Sequence, residues 1–208
     1  MSSWAENFVA WDTETTGFGP TARILEIAAV HFVDGEVANE WSALFFPDGV
    51  DWASKQVQDA LTINHLELSE LRAKGRKFQD VLPEMRAAFG VSPVWVAHNS
   101  SFDEGMLRNE LRRIWPTGPV DFPSPDLAVC TMQLAKYVTP QEPAHKLANV
   151  AQRFRVEQEN AHRAAVDAIV CGKALVGMYV EGLIPSEEAE FRITLEKAEA
   201  AYRSRGRR

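Results

Sequence analysis

Residues 8–17 read FVAWDTETTG, an apolar run that ends in two acids and a glycine turn. The apolar half is typical of a β-strand, and side chains two residues apart on a strand project from the same face. Asp12 and Glu14 therefore project together, while Trp11 and Thr13 point the other way. Two adjacent carboxylates repel each other unless a cation lies between them, and oxygen ligands of this kind suit magnesium or manganese. The alternative interpretation is an exposed strand end with two solvated acids.

The sequence around this strand predicts an α/β architecture. Residues 24–33 are strongly apolar, Asp34-Gly35 is typical of a hairpin turn, and residues 36–46 contain a third strand. A short strand is predicted over 93–97 and a proline-rich loop over 115–126. Helices are predicted over 54–63, 66–73, 78–89, 102–114, 127–137, 146–154, 164–179 and 187–202. Strands followed by helices indicate a mixed sheet of about five strands.

Composition limits the classes of function. The 208 residues are enough for one domain, and their net charge of −7 argues against a protein that coats nucleic acid through bulk positive charge. An enzyme that meets a strand locally is compatible with that charge, because bound divalent cations would reverse the field at its site. The N-terminus shows no secretory signal, and no stretch is long and apolar enough to span a bilayer. A cytoplasmic location is therefore expected.

A second polar cluster follows the short strand predicted over 93–97. Residues 98–103 read HNSSFD and lead into a predicted helix. Ligands of α/β sheets gather beyond the carboxyl ends of the strands, which favours a functional role for this segment. Two alternatives stay open, because Asp103 could only cap its helix and His98 could be a hydrogen-bonded core histidine.

A third acid lies inside an apolar helix later in the chain. Residues 162–167 read HRAAVD, and the sequence beyond Asp167 continues with alanine, isoleucine and valine. A buried unpaired carboxylate is costly, so a compensating group is expected, and a shared metal ion would serve. His162 precedes this helix and does not lie on its face, which leaves its ring free to turn. A loop histidine without a role in catalysis is the alternative.

Together these three segments resemble the motifs of the DEDDh exonucleases. DTETTG at 12–17, HNxxFD at 98–103 and Hx4D at 162–167 stand in the family's order. The family includes the proofreading subunit of the bacterial replicative polymerase, ribonuclease T, oligoribonuclease and the TREX enzymes. The resemblance implies an RNase H-like α/β fold, in which helices flank a five-stranded mixed sheet. We predict an exonuclease domain over 1–182 and a C-terminal helix with a basic tail over 183–208.

The resemblance also implies a mechanism. The family's acids correspond to Asp12, Glu14, Asp103 and Asp167. They would hold two divalent ions, Mg²⁺ or Mn²⁺, and the family's general base corresponds to His162. Two such ions can stabilise the attacking and the leaving oxygen of a phosphodiester, and an imidazole can take up a proton near neutral pH.

The expected reaction removes nucleotides one at a time from the 3' end of a single strand and releases 5'-nucleoside monophosphates. DNA is the favoured substrate, and RNA is the second candidate. The resemblance places substrate contacts at Thr13, Thr15, Asn99 and Phe102. Phe102 could stack beside a base or pack in the core. A polymerase or another replication protein is a candidate partner, and the sequence leaves the oligomeric state open.

Two other functions are compatible with the same fold, namely a non-catalytic nucleic-acid or partner-binding domain and a hydrolase of small phosphate esters. The complete set of acids together with His162 argues against the first. One departure from the family is Cys130-Thr131, where the family often has Asp-Thr at a position that is not catalytic. The arginines at 203, 205, 207 and 208 could bind nucleic acid or a partner, or form a disordered tail.

Overall fold

A central mixed sheet organises the protein, and a computed structural model describes residues 4–157 and 162–205. The strands are β1 (Asn7–Thr15), β2 (Ile24–Val33), β3 (Glu36–Leu44), β4 (Val94–Ala97) and β5 (Leu127–Cys130). They lie in the order β3-β2-β1-β4-β5. The first three strands pair antiparallel, whereas β4 is parallel to β1 and β5 is parallel to β4. The prediction of a five-stranded mixed sheet in an RNase H-like α/β fold is confirmed.

Helices cover both faces of this sheet. They are α1 (Lys55–Ile63), α2 (Leu68–Lys74), α3 (Phe78–Phe89), α4 (Ser100–Ile114), α5 (Thr131–Val138), α6 (Leu147–Arg153), α7 (Ala164–Val180) and α8 (Glu188–Arg205). The start of α1 illustrates local sequence control, because the Ser54 hydroxyl accepts a hydrogen bond from the Val57 amide and so caps the helix. Among the helices of the described residues, none combines the length and apolar character needed to cross a membrane.

The helix predicted over 127–137 is wrong in its first four residues. Leu127–Cys130 forms the edge strand β5, and the helix begins only at Thr131. Residue Val94 pairs with Leu127 and Ala97 with Cys130, so the strand exists because β4 offers it a partner. Four apolar residues are too few for their periodicity to separate a strand from a helix.

Side-chain alternation along β1 builds a core on each face of the sheet. Phe8 and Ala10 belong to the core that includes buried residues of α7, whereas Val9 and Trp11 belong to the core that includes buried residues of α3 and α4. Since residues two apart share a face, Asp12 continues the row that faces α7. The strand β1 thus contributes side chains to both cores, and its acids, Asp12 and Glu14, lie near its C-terminal end, at the edge of these cores.

Close packing brings α7 onto the sheet. Gly172 lies against the ring of Phe32, and a Cβ atom at this position would overlap that ring. The absence of a side chain at Gly172 therefore lets the helix that carries Asp167 approach β2.

The predicted boundary between residues 182 and 183 stays a prediction. Phe191 and Ala198 of α8 are buried in the same core as α7, and the ring of Phe191 stacks on that of Trp4 at 3.9 Å between centroids. Of the basic tail, Arg207 and Arg208 lie outside the described residues.

Candidate active site

Three carboxylates meet where β1 ends. Asp12 and Glu14 come from this strand and Asp167 from the first turn of α7, and their ligand oxygens all lie within 4.8 Å of one another. Glu14 and Asp167 are buried, and Asp12 is half-buried. Oxygen donors at this spacing, on rigid elements, suit a small hard cation such as Mg²⁺ or Mn²⁺.

Asp103 reaches the same strand from the opposite face of the sheet. Its Oδ1 accepts hydrogen bonds from the Thr13 amide at 3.1 Å and from the Thr13 hydroxyl at 2.7 Å. The carboxylate is only 2% exposed, and its charge acts directly on Asp12. Two elements far apart in sequence, α4 and α7, thus bring acids to the end of one strand. The four acids predicted from sequence converge there.

The electrostatics of this cluster favour a bound cation. Burial, reinforced by the charges of Asp103, Glu14 and Asp167, raises the pKa of Asp12 well above its usual range. Burial, with the charges of Asp167 and Glu26, raises the pKa of Glu14 to about 8. Burial also raises the pKa of Asp103 to about 7, against the hydrogen bonds from Thr13. A divalent cation would supply the missing compensation, so the donor set fits the metal that the family implies.

His162 is exposed and lies two residues before the start of α7. Its backbone is left-handed, with φ of 65°, an unusual conformation for a residue with a side chain. Its ring centroid lies 6.1 Å from that of His65, whose backbone is also left-handed, with φ of 52°. Such strained positions collect at functional sites.

The residues expected to contact substrate occupy different environments. The Thr13 hydroxyl is engaged by Asp103, and the Thr15 hydroxyl donates to the Gly17 carbonyl at 2.9 Å. Asn99 is exposed, with a left-handed φ of 65° at the start of α4. Phe102 is half-buried and packs against the core on the α4 face.

An exposed aromatic ring beside the site was missed by the sequence interpretation. Phe18 is 82% exposed in the turn after β1, and its ring centroid lies 5.6 Å from that of Phe102. In the sequence, Phe18 stands between two glycines, a pattern that predicts a turn but does not by itself predict an exposed aromatic ring.

Two further polar residues with structural consequences were also missed or left open. Asn64 is buried and donates from its amide to the Thr15 carbonyl at 3.0 Å, which fixes the end of β1 from the loop after α1. His98 hydrogen-bonds through Nδ1 to the Thr131 hydroxyl at 3.0 Å, and burial lowers the pKa of His98 to about 4. The half-buried position of His98 and its hydrogen bond to Thr131 favour a structural role for this histidine, one of the two alternatives for this residue.

Sequence comparison places the chain among nucleases. The exonuclease family model RNase_T matches residues 9–175. The PolC-type DNA polymerase III of Lacticaseibacillus paracasei is 29% identical over 175 residues, and that of Clostridium perfringens is 32% identical over 171 residues. The matches cover 84% and 80% of this chain but 11% of each polymerase. The chain thus spans about a tenth of the length of the curated relatives it matches.

Solved structures agree with this placement. Exonuclease X in complex with 5'-overhanging duplex DNA is 26% identical, with a TM-score of 0.62 over 90% of this chain and 99% of that one. Exonuclease I, at 21% identity and a TM-score of 0.68, covers 86% of this chain and 42% of that one. The nuclease domain of 3'hExo bound to rAMP is 13% identical, with a TM-score of 0.66 over 88% and 96%. At these low identities, the likeness to exonuclease I and to 3'hExo shows only that the fold is shared. Because the family model spans most of the chain, this protein belongs to the exonuclease family, and the three segments that resemble the DEDDh motifs, 12–17, 98–103 and 162–167, all lie within the match.

Proposed function

We propose that this protein degrades a single strand from its 3' end, one nucleotide at a time, and releases 5'-nucleoside monophosphates. DNA is the favoured substrate and RNA the second candidate. The observation that carries the proposal is the convergence of Asp12, Glu14 and Asp167, whose ligand oxygens lie within 4.8 Å of one another, with Asp103 held beside them by Thr13.

The acids would hold the metal. Asp12, Glu14 and Asp167, whose ligand oxygens lie close together, would bind two divalent ions, Mg²⁺ or Mn²⁺, with the help of Asp103. When bound, the ions would stabilise the charge on the attacking and leaving oxygens of the phosphodiester. Thr13 contributes by fixing Asp103, since both its amide and its hydroxyl donate to the same carboxylate oxygen.

His162 would act as the general base. His162 is exposed and precedes Asp167 by five residues, so its ring is free to turn toward a water molecule that attacks the phosphorus. In this role the imidazole takes the proton of that water as its oxygen bonds to phosphorus, while the bond from phosphorus to the 3' oxygen of the preceding nucleotide breaks and that oxygen takes a proton from solvent. The proton then leaves to solvent, for which an exposed position is an advantage.

The substrate would be held by the residues around the acids. Thr15 and Asn99 lie at the two turns that border the cluster, where hydroxyl and amide groups can meet the sugar and the phosphate. Phe18 and Phe102 form a neighbouring aromatic pair that can stack on the terminal bases of a single strand. Stacking of this kind tolerates any base, as an exonuclease requires.

The preference for DNA and the idea of a polymerase partner rest on relatives. The curated relatives are PolC-type DNA polymerases, and exonuclease X is described in complex with DNA. The structure of 3'hExo with rAMP keeps RNA as the second candidate.

A gel assay tests the proposal. Single-stranded DNA and RNA of matched sequence, labelled at the 5' end, are incubated with the protein in Mg²⁺, in Mn²⁺ or in chelator. A ladder that shortens from the 3' end, requires the metal and releases 5'-monophosphates supports it. Metal binding without turnover would instead favour a non-catalytic binding domain. Turnover of small phosphate esters alone would favour a different hydrolase.

A further inference from the structure

A buried acid lies beside the cluster. Glu26 is 3% exposed on β2, and its residue pairs with Glu14 of the neighbouring strand β1. A carboxylate at this depth is costly unless its oxygens are satisfied. It also adds another negative charge next to Asp12 and Glu14, and it contributes to the raised pKa of each.

Three donors satisfy both oxygens of Glu26. Arg163 donates from Nε to Oε2 at 3.0 Å and from its second terminal nitrogen to Oε1 at 3.0 Å. The Ala164 amide donates to Oε2 at 3.2 Å. This bidentate geometry is the strongest form of an ion pair between an arginine and a carboxylate. With both oxygens occupied, Glu26 is withdrawn from the set of groups that can bind a metal.

The residues that donate to Glu26 lie between His162 and Asp167 in the chain. Arg163 follows His162 directly, and Ala164 is the first residue of α7, the helix that carries Asp167 in its first turn. The Ala164 amide is one of the donors that a helix leaves unsatisfied at its start, and a carboxylate is favourable there. Glu26 on the sheet thus caps the start of α7 and also binds the side chain of Arg163, the residue next to His162.

Arg163 has a second effect through its charge. Its guanidinium partly opposes the acids by lowering the pKa of Glu14. Released from Glu26, this cation would be free to compete with a metal ion for the neighbouring carboxylates.

We infer that Glu26 and Arg163 are positioning residues, whose ion pair sets His162 and Asp167 against Asp12 and Glu14 and keeps Arg163 away from the metal ligands. The inference rests on the proposed function where it concerns nuclease activity, whereas its consequence for metal binding can be measured without any activity. Neither residue is placed in contact with the substrate.

The test compares the two ends of α7. Glu26→Gln, Arg163→Lys and Arg163→Met alter the pair at its start. Arg153→Met is the matched control, because Arg153 makes a bidentate pair with Glu181 at the other end of the helix, at 3.0 and 2.8 Å. For each protein, kcat and KM are measured on single-stranded DNA. Metal binding is followed separately, as the shift in thermal unfolding temperature during titration with Mn²⁺.

The expected pattern separates positioning from simple stability. Glu26→Gln and Arg163→Met lower kcat about 10- to 100-fold, as measured for supports of metal ligands elsewhere, with KM changed less than about threefold. Arg163→Lys recovers part of the loss, since it keeps one charged contact. The Mn²⁺ concentration for half the thermal shift rises about tenfold in Glu26→Gln. Arg153→Met leaves kcat and the titration unchanged.

Two results would overturn the inference. The first is a loss of thermal stability in Glu26→Gln and Arg163→Met with kcat and the Mn²⁺ titration equal to those of Arg153→Met, which makes the pair merely structural. The second is an equally low kcat in Arg163→Lys and Arg163→Met with an unchanged Mn²⁺ titration. An unaltered protein that binds Mn²⁺ but has no exonuclease activity would refute the proposed function alone. The Mn²⁺ titration of Glu26→Gln would then decide the role of the pair.

Discussion

Acids in the interior of this protein are of two kinds, and Glu26, of the first kind, pairs in the sheet with Glu14, of the second. Glu26 and Glu110, 3% and 2% exposed, each meet an arginine in a bidentate ion pair. Asp12 and Glu14 occupy the end of the adjacent strand, where no lysine or arginine of the described residues forms an ion pair with them. Acids of the first kind are neutralised within the chain. Those of the second kind would be neutralised only by a bound cation, as we propose for Asp12 and Glu14.

The paired acids also brace the unpaired ones. Glu110 of α4 receives Arg23 Nε at 2.8 Å and the Ile24 amide at 3.2 Å. The Arg23 amide in turn donates to the Thr16 hydroxyl at 2.9 Å, in the turn that follows Glu14. An ion pair on the far side of the turn thus fixes the loop that follows Asp12 and Glu14. The comparison predicts that the two kinds of acid respond in opposite ways to removal of charge.

The largest effect is expected from neutralising an unpaired acid. Asp12→Asn removes a metal ligand, so kcat should fall about a thousandfold or more. The metal-free protein should unfold at the same or a higher temperature, because repulsion within the cluster is relieved. Steady-state kinetics and thermal unfolding without metal provide the measurements. A marked loss of stability in metal-free Asp12→Asn would place Asp12 with the structural acids.

The next largest effect concerns the base. His162→Ala should lower kcat about 10²- to 10⁴-fold, the usual contribution of general base catalysis, with little change in metal binding. Kinetics on DNA and the thermal shift with Mn²⁺ measure the two quantities. A loss of metal affinity as large as that in Asp12→Asn would contradict the assignment of His162 as the base.

Breaking a paired acid should cost stability instead. Arg23→Met leaves Glu110 buried without its main partner, and the free energy of unfolding should fall by about 2–4 kcal/mol. Arg113, 3.5 Å from Glu110, limits the loss. Urea unfolding measures it. Arg76→Met, which breaks the exposed pair with Glu84, is the control and should leave the free energy of unfolding nearly unchanged, because solvent screens an exposed ion pair. Equal losses in the two variants would remove the distinction on which the comparison depends.

The pH dependence sharpens the contrast further. The pKa of Glu14, raised to about 8, means that the metal-free native state binds more protons than the unfolded state between about pH 4.5 and 8. Its free energy of unfolding should therefore fall as pH rises through this range. Metal binding requires the proton to leave, so affinity should increase roughly tenfold per pH unit for each protonated ligand below its pKa. Unfolding at pH 6, 7 and 8.5, with and without Mg²⁺, tests both signs. Metal affinity that does not change across this range would contradict them.

The smallest effect is expected at the aromatic pair formed by Phe18 and Phe102. Phe18→Ala removes an exposed ring, so KM for single-stranded DNA should rise about fivefold, the lower end of what stacking on one base contributes. Stability should not change, since the ring is 82% exposed. Val180→Ala, another exposed apolar residue at the opposite end of α7, is the control. An unchanged KM would mean that the strand does not stack on Phe18.

Local patterns in the sequence predicted much of this structure. Residues 24–33 and 78–89 have the bounds of β2 and α3, because ten or more residues of apolar pattern define an element clearly. The acids were conspicuous because charge is rare in apolar segments. The edge strand β5 was missed, since only its pairing with β4 makes it a strand.

The pairing of Glu26 with Arg163 had no signal that could reveal it. These residues are separated by 137 positions, and each is an ordinary residue in its own segment. Only the folded chain shows that one compensates the other. Asp12 and Glu14, by contrast, stand out in the sequence without knowledge of their neighbours in the fold, because they are acids at the end of an apolar segment.

Because side chains alternate along β1, the proposed metal site depends on the register in which this strand pairs. If β1 paired one residue out of step, Thr13 and Thr15 would take the places of Asp12 and Glu14, and the acids would face α4. Such a misfolded chain could retain its helices and much of its apolar burial, yet it would lack the cage of carboxylates. Stabilisation by a divalent cation would then serve as a fingerprint of correct strand alignment during refolding.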